Sequence, residues 1–190
     1  MEKIRDYILT IENAMPYNQL EVLKEVCESN HLGNEPGVVG LDRRLDPTIR
    51  KTRVRYLFNT GEDCKSMTMA YWANYLMKLF THYKKQYCNA YKINYSDINV
   101  SELQLLTYGK GSFYKTHVDH FRNSPRTLSF IFLVNDNYEG GELYFKLINE
   151  TIKIPVKQGS LVIWPSSFQY PHGVLPVTKG ERYAVVSWAL

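Results

Sequence analysis

The hydrophobic period of the chain changes once, close to residue 100. Before that point the apolar positions recur at helical spacing. "YNQLEVLKEVCESNHLG" sets Leu20, Leu23 and Cys27 on one stripe, with Asn18 able to cap the start and Gly33 suited to the stop. "MTMAYWANYLMKLFTHYKKQYC" carries Met69, Ala73, Leu76, Phe80, Tyr83 and Tyr87 at alternating three- and four-residue steps, which predicts a long helix with one buried face. Such an aromatic stripe is what a helix uses to dock on a sheet, and core packing explains it better than a cofactor groove does.

From about residue 101 the pattern shortens to β-type runs punctuated by turn residues. In order these are "ELQLLTY", "SFYKTHVD", "TLSFIFLV", "GELYFKLI", "TIKIPV", "SLVIWP", "GVLPV" and "RYAVVSWAL". The segment "NDNYEGGEL" reads as a turn whose paired Gly140 and Gly141 adopt angles other residues avoid. Short strands at this density predict a double-sheet jelly roll or a related barrel, with the helices covering one sheet. The fold class is therefore α+β, in one unit.

Composition narrows the class. A chain of 190 residues is long enough to bury one core. No run approaches the roughly 20 apolar residues of a membrane span, and "MEKIRDYILTIENAMPYNQ" is too interrupted by charge for a signal peptide, so a soluble intracellular protein is the simplest expectation. Cys27, Cys64 and Cys88 are odd in number and far apart, against a disulfide framework or a thiolate zinc site. The formal charge of +4 is modest. Arg43, Arg44, Arg50, Lys51, Arg53 and Arg55 nevertheless fall in one short segment, which either steers an acidic partner or a phosphate backbone, or is simply a solvated loop and strand. The second reading is preferred, because nucleic-acid binders usually carry a larger excess of positive charge.

Candidate chemistry concentrates in "YKTHVDHF". On an extended strand His117 and Asp119 project together, while Val118 and His120 project the other way. A His-x-Asp triplet alone is weak evidence, but His172 follows at the other end of the β-region. Two imidazoles and one carboxylate make the facial triad that holds ferrous iron and leaves other coordination positions open. Zinc accepts the same donors, but a zinc hydrolase would need a separate general base, and no helix carries His-Glu-x-x-His spacing. His120 is assigned to the surroundings or the surface, and His31 and His82 to structure. Arg182 lies ten positions after His172 at the start of the last strand, behind a Lys-Gly turn. A guanidinium in an apolar barrel requires an anion, and a dicarboxylate chelating iron at one end and pairing with arginine at the other would supply it. The plainer alternative is a salt bridge to Glu181 or Glu142.

Four stretches in order, "LLTYGKGSFYKTHVD", "LSFIFLVNDNYEGGELYF", "GSLVIWPS" and "HGVLPVTKGERYAVVSW", make the region from Glu102 to Trp188 resemble the 2-oxoglutarate- and iron(II)-dependent dioxygenases of the prolyl 4-hydroxylase-like branch. The resemblance weakens through the helical half. It implies a double-stranded β-helix core at 101–190 within a single catalytic domain spanning 1–190, and residues 1–100 as mainly helical support plus a substrate loop. It also implies iron ligands at His117, Asp119 and His172, with 2-oxoglutarate bound through Arg182, Tyr108, Thr127 and Trp188. Tyr114, Arg53 and Trp164 would belong to the catalytic or substrate pocket. Phe132 and Leu133 stand where oxygen-sensing relatives place a second tyrosine, which throws the distal carboxylate onto Arg182 and Thr127. The implied cofactors are Fe(II), 2-oxoglutarate and O2, with ascorbate as an accessory reductant. The implied reaction is hydroxylation of a prolyl residue in a peptide or protein, releasing succinate and CO2, with the segment "NEPGVVGLDRRLDPTIRKTRVRY" resembling a loop and strand that fold over peptide substrates. Competing readings keep the cofactor chemistry but act on a free amino acid, another small molecule or a nucleic acid. A jelly-roll binding module with an incidental triad is the alternative without catalysis.

Overall fold

The computed structural model describes residues 3–29, 35–40, 44–94, 98–123 and 125–190. A 3-10 turn (Ile4–Tyr7) leads into β1 (Leu9–Ile11), helix α1 (Tyr17–Glu28), β2 (Glu35–Pro36), β3 (Arg50–Lys51), β4 (Arg53–Tyr56) and helix α2 (Met67–Ala90). There follow β5 (Val100–Tyr108), β6 (Phe113–His117), β7 (Leu128–Leu133), β8 (Glu139–Gly140), β9 (Leu143–Lys146), β10 (Thr151–Lys153), β11 (Leu161–Pro165), β12 (His172–Val174), β13 (Val177–Lys179) and β14 (Arg182–Ala189). These strands form a larger sheet ordered β1-β11-β7-β14-β5-β4-β2, a smaller one ordered β10-β9-β12-β6-β3, and a β13-β8 ribbon. The two main sheets pack face to face as a jelly roll.

Alternation along the strands divides the core in two. Leu105, Phe130, Phe132, Leu161, Ile163 and Val185 point outward and meet Leu20, Leu23, Trp72, Leu76 and Phe80 of the helices. Ile131, Leu133, Val162, Trp164 and Ala184 point inward and meet Leu143 and Phe145 of the smaller sheet. The α2 stripe follows the expected spacing, and Phe80 stacks on Phe130 at 5.7 Å. Tyr83 and Tyr87 bury their rings on this face and donate their hydroxyls to the carbonyls of Ala14 and Tyr7.

Helix entry and the first hundred residues differ from expectation. Asn18 lies inside the first turn of α1 rather than capping it, because the helix begins at Tyr17 behind Pro16, whose fixed φ suits that position. His31, Gly33 and Arg43 lie outside the described residues. The first half also supplies four strands, of which β4 and β2 extend the larger sheet past β5 and β3 extends the smaller one past β6. The 53–56 strand carries Arg55 into the interior. There its guanidinium donates to the carbonyls of Val26 and Ser29, at 2.9 Å each, and closes the C-terminus of α1.

Candidate metal centre

The smaller sheet brings the histidines together. β6 and β12 run antiparallel with His117 opposite His172, so two residues fifty-five positions apart become a cross-strand pair with ring centroids 4.4 Å apart. The chain leaves β6 at His117, and Asp119 folds back beneath the pair. Its Oδ1 lies 3.5 Å from His117 Nε2 and its Oδ2 lies 3.4 Å from His172 Nε2. One donor atom from each residue falls within 4.8 Å of the others, a span one cation can bridge.

The surroundings fix how these donors present themselves. His117 Nδ1 meets the Lys115 carbonyl at 2.9 Å, and His172 Nδ1 meets the Tyr170 carbonyl at 3.0 Å. A carbonyl only accepts, so both Nδ1 atoms carry the proton and both Nε2 lone pairs point at the shared centre. Burial pushes the His172 imidazole down to about 4, against the upward pull of Asp119, and this keeps it a neutral ligand. Burial also pushes the Asp119 carboxyl up, but His172, His117 and the Ser129 hydroxyl together outweigh it and hold the group ionised, well below the usual carboxylate range. Ser129 donates to Asp119 Oδ2 at 2.7 Å, and Ser166 lies 2.7 Å behind Ser129. Sequence spacing gives no sign of these two serines, because they matter only through the pairing of β7 with β11.

Arg182 is fully buried, and its Nε, Nη1 and Nη2 have no hydrogen-bond partner among the described residues. Glu181, weighed as its salt-bridge partner, turns outward to Arg53 at 2.9 Å and to the Tyr183 hydroxyl at 2.7 Å, while Glu142 pairs with Lys153. The guanidinium lies over the Tyr108 ring, 4.9 Å from its centroid, in register across β14 and β5. Tyr138, which the sequence reading did not single out, also lies beside Arg182. A Cβ at Gly141 would come within 3.1 Å of Arg182 Cδ and 3.2 Å of Tyr138 Cε2, and the φ of +68° at that glycine independently favours glycine. The Tyr138 hydroxyl is close enough for the Arg182 charge to act on it, yet neither group makes a hydrogen bond of standard geometry. A buried cation beside a buried hydroxyl, both without acceptors, fits a carboxylate ligand.

A cavity of about 680 Å³ opens over the triad. Tyr108, Tyr114, Trp164 and Trp188 line it with His117, Asp119 and His172. Tyr114 stacks on His117 at 3.7 Å, and Trp164 stands edge-on to His172 at 4.8 Å. Two candidates lie elsewhere. Thr127 is exposed and donates its N–H to Ala189, at the end of β14 opposite Arg182, roughly 23 Å away at the usual strand rise. Arg53 projects from the outer edge of β4 into its pair with Glu181. The basic segment is largely engaged within the molecule: Arg44 pairs with Asp46, Arg50 donates to Val38 and Thr52 and lies over Tyr114, and Arg55 caps α1. His120 sits at the surface with Nδ1 2.9 Å from the Arg126 carbonyl, and His82 is exposed on α2 beside Gln86. All three cysteines are free. No helix among the described residues is long and apolar enough to cross a membrane.

Residues 103–190 match the family model described as the 2OG-Fe(II) oxygenase superfamily. A PKHD-type hydroxylase from Prochlorococcus marinus (strain MIT 9215) is 42% identical over 83 residues, covering 42% of this chain and 37% of the relative. Another, from Idiomarina loihiensis, is 34% identical over 93 residues, covering 47% and 42%. The matched region thus spans about two-fifths of the length of these curated relatives. Among solved structures, a Pseudomonas putida prolyl-4-hydroxylase superposes with a TM-score of 0.73 at 20% identity, covering 96% of this chain and 91% of its own. A Trichoplax adhaerens prolyl hydroxylase, solved with a hypoxia inducible factor oxygen degradation domain peptide, gives 0.76 at 20% identity, covering 97% and 83%.

Proposed function

We propose, from the premise that residues 103–190 belong to the 2OG-Fe(II) oxygenase superfamily, that the chain is an Fe(II)- and 2-oxoglutarate-dependent dioxygenase hydroxylating prolyl residues in a peptide or protein. The observation that carries this reading is the pairing of a tautomer-fixed His-Asp-His cluster with a buried guanidinium that lacks an anion.

His117, Asp119 and His172 would hold the iron on one side, and the Nδ1–H bonds to Lys115 and Tyr170 would keep each ring aimed during turnover. Arg182, with the Tyr138 hydroxyl, would receive the distal carboxylate of 2-oxoglutarate as the counterion it otherwise lacks. Tyr108 would form the floor between that carboxylate and the metal, since it faces Arg182 and also lies within electrostatic reach of Asp119. Trp164, Phe145 and Leu143 would exclude water beneath His172. When bound, iron and 2-oxoglutarate supply the oxidising chemistry, with succinate and CO2 as coproducts. A peptide substrate is supported by the size of the cavity, about 680 Å³, and by the peptide bound in the Trichoplax neighbour.

The test is anaerobic loading with Fe(II) and 2-oxoglutarate followed by exposure to oxygen with a Pro-centred peptide library, reading succinate and a mass gain of about 16 Da, one oxygen atom. Both signals together support the reading. Succinate without mass gain in any peptide rejects the prolyl substrate, and no metal-dependent succinate rejects the enzyme.

A further inference from the structure

The cavity has a second polar feature, away from the metal and from Arg182. On the inner face of β5, Tyr108 lies beside Arg182, Leu106 follows, and Gln104 comes two residues later, roughly 13 Å from Tyr108 at the usual strand rise. Gln104 lines the cavity and is only 6% exposed, and its Oε1 has no hydrogen-bond partner among the described residues. A buried amide oxygen is costly unless it meets a donor.

The wall around Gln104 is constructed rather than incidental. Gln104 faces Val186 while Ser101 faces Trp188, so β5 carries one extra residue there, a β-bulge with Glu102 at a φ of +34°. Bulges of this kind re-aim side chains, and a non-glycine residue at positive φ persists only where the surroundings over-determine it. Glu102 accepts from Arg126 at 3.3 Å, and the Arg126 guanidinium lies over the Trp188 ring at 3.6 Å. That stack holds one side of the Gln104 pocket, and Tyr56 of β4, opposite Gln104 in register, holds the other.

The geometry points to Gln104 as a substrate-positioning residue whose side-chain carbonyl accepts a main-chain N–H of the peptide next to the residue being hydroxylated. This rests on the prolyl-peptide reading. A prolyl residue has no N–H of its own, so the donor belongs to a neighbouring residue. An acceptor in the pocket wall discriminates against substrates lacking that donor, because the buried oxygen is then left unpaired in the complex.

The experiment compares wild type with Gln104→Leu and Gln104→Glu, using acetyl-Xaa-Xaa-Pro-Xaa-Xaa-amide pentapeptides and analogues N-methylated at one flanking amide. Gln104→Leu is expected to raise KM for peptide at least about tenfold, leave kcat and the KM for 2-oxoglutarate within twofold, and leave the melting temperature equal or higher. Gln104→Glu, which keeps the acceptor, is expected to restore most of the affinity. N-methylation at one flanking position should weaken binding to the wild type, measured by fluorescence polarisation of labelled peptide, and leave binding to Gln104→Leu unchanged. Wild-type binding that both Gln104→Leu and N-methylation leave intact overturns this inference alone. Failure of every pentapeptide to bind wild type overturns the peptide reading and this inference with it.

Discussion

The two faces of the seven-stranded sheet are made from the same strands yet treat polar atoms in opposite ways. On the outer face, Leu105, Phe130, Phe132, Leu161, Ile163 and Val185 pack against α1 and α2, and apart from the Thr107 hydroxyl, which has no partner among the described residues, the polar groups named on this side are put to structural use. Arg55 closes α1, Tyr83 and Tyr87 tie the helices to backbone carbonyls, and Ser187 donates to the Ser101 carbonyl. On the inner face, Gln104, Trp164 and Arg182 are buried with polar atoms that have no partner among the described residues, opposite two imidazoles and a carboxylate crowded around a common point. Folding alone would favour apolar residues at such positions, since an unpaired buried charge costs more than it returns. Alternation within each strand therefore separates a face that stabilises the molecule from one that is set for a ligand.

Breaking the inner face should abolish ligand binding while sparing the fold. His172→Ala removes one of three donors and is expected to weaken Mn(II) or Fe(II) binding by more than about 100-fold, measured by titration of the purified protein, with succinate production falling to background. The outer face should respond in the opposite sense. Phe80 is fully buried and stacked on Phe130, so Phe80→Ala is expected to cost about 3–5 kcal/mol in urea unfolding while activity per folded molecule persists. Arg182→Met sharpens the contrast further. Affinity for 2-oxoglutarate should drop on the order of 100-fold, whereas the ligand-free protein should melt no lower than wild type, because an unpaired buried charge has been exchanged for an apolar side chain. A large loss of stability with intact 2-oxoglutarate binding would place Arg182 among the structural residues.

The division between faces was legible in part. Each β-type run after residue 100 contains a strand, and only "GVLPV" divides, at Pro176, between β12 and β13. The strands β1 to β4 were hidden, since runs of two to four residues carry too little pattern to be distinguished from loop. The His117–Asp119–His172 grouping could be suspected from residue type, but the cross-strand register that sets His117 opposite His172 is a property of sheet order. Arg55 read as part of a basic surface because its partners are carbonyls of a helix twenty-six and more positions away. Thr127 was expected to assist Arg182 because Phe132 and Leu133 stand where relatives place a second tyrosine, but it is Tyr138 that lies beside Arg182, from a segment that had been read only as a turn.

The smallest expected effect tests whether the inner face is tuned beyond its three donors. Ser129 is 1% exposed, donates to Asp119 Oδ2 and is backed by Ser166, so it shares none of the unpartnered character of Gln104 or Arg182. Ser129 is not among the residues lining the cavity, and its hydrogen bond to Asp119 gives it the role of orienting the carboxylate. Ser129→Ala should therefore weaken metal binding by roughly tenfold, the lower end of what a lost outer hydrogen bond costs a metal site. The change in unfolding free energy should stay near 1 kcal/mol, the net worth of one buried hydrogen bond. Ser129→Thr, which retains the donor, should recover the affinity if its extra methyl group fits beside Ser166. Equal metal affinity in Ser129→Ala and wild type would mean that β6 and β12 alone position Asp119, and that the serine pair belongs with the structural polar groups of the outer face.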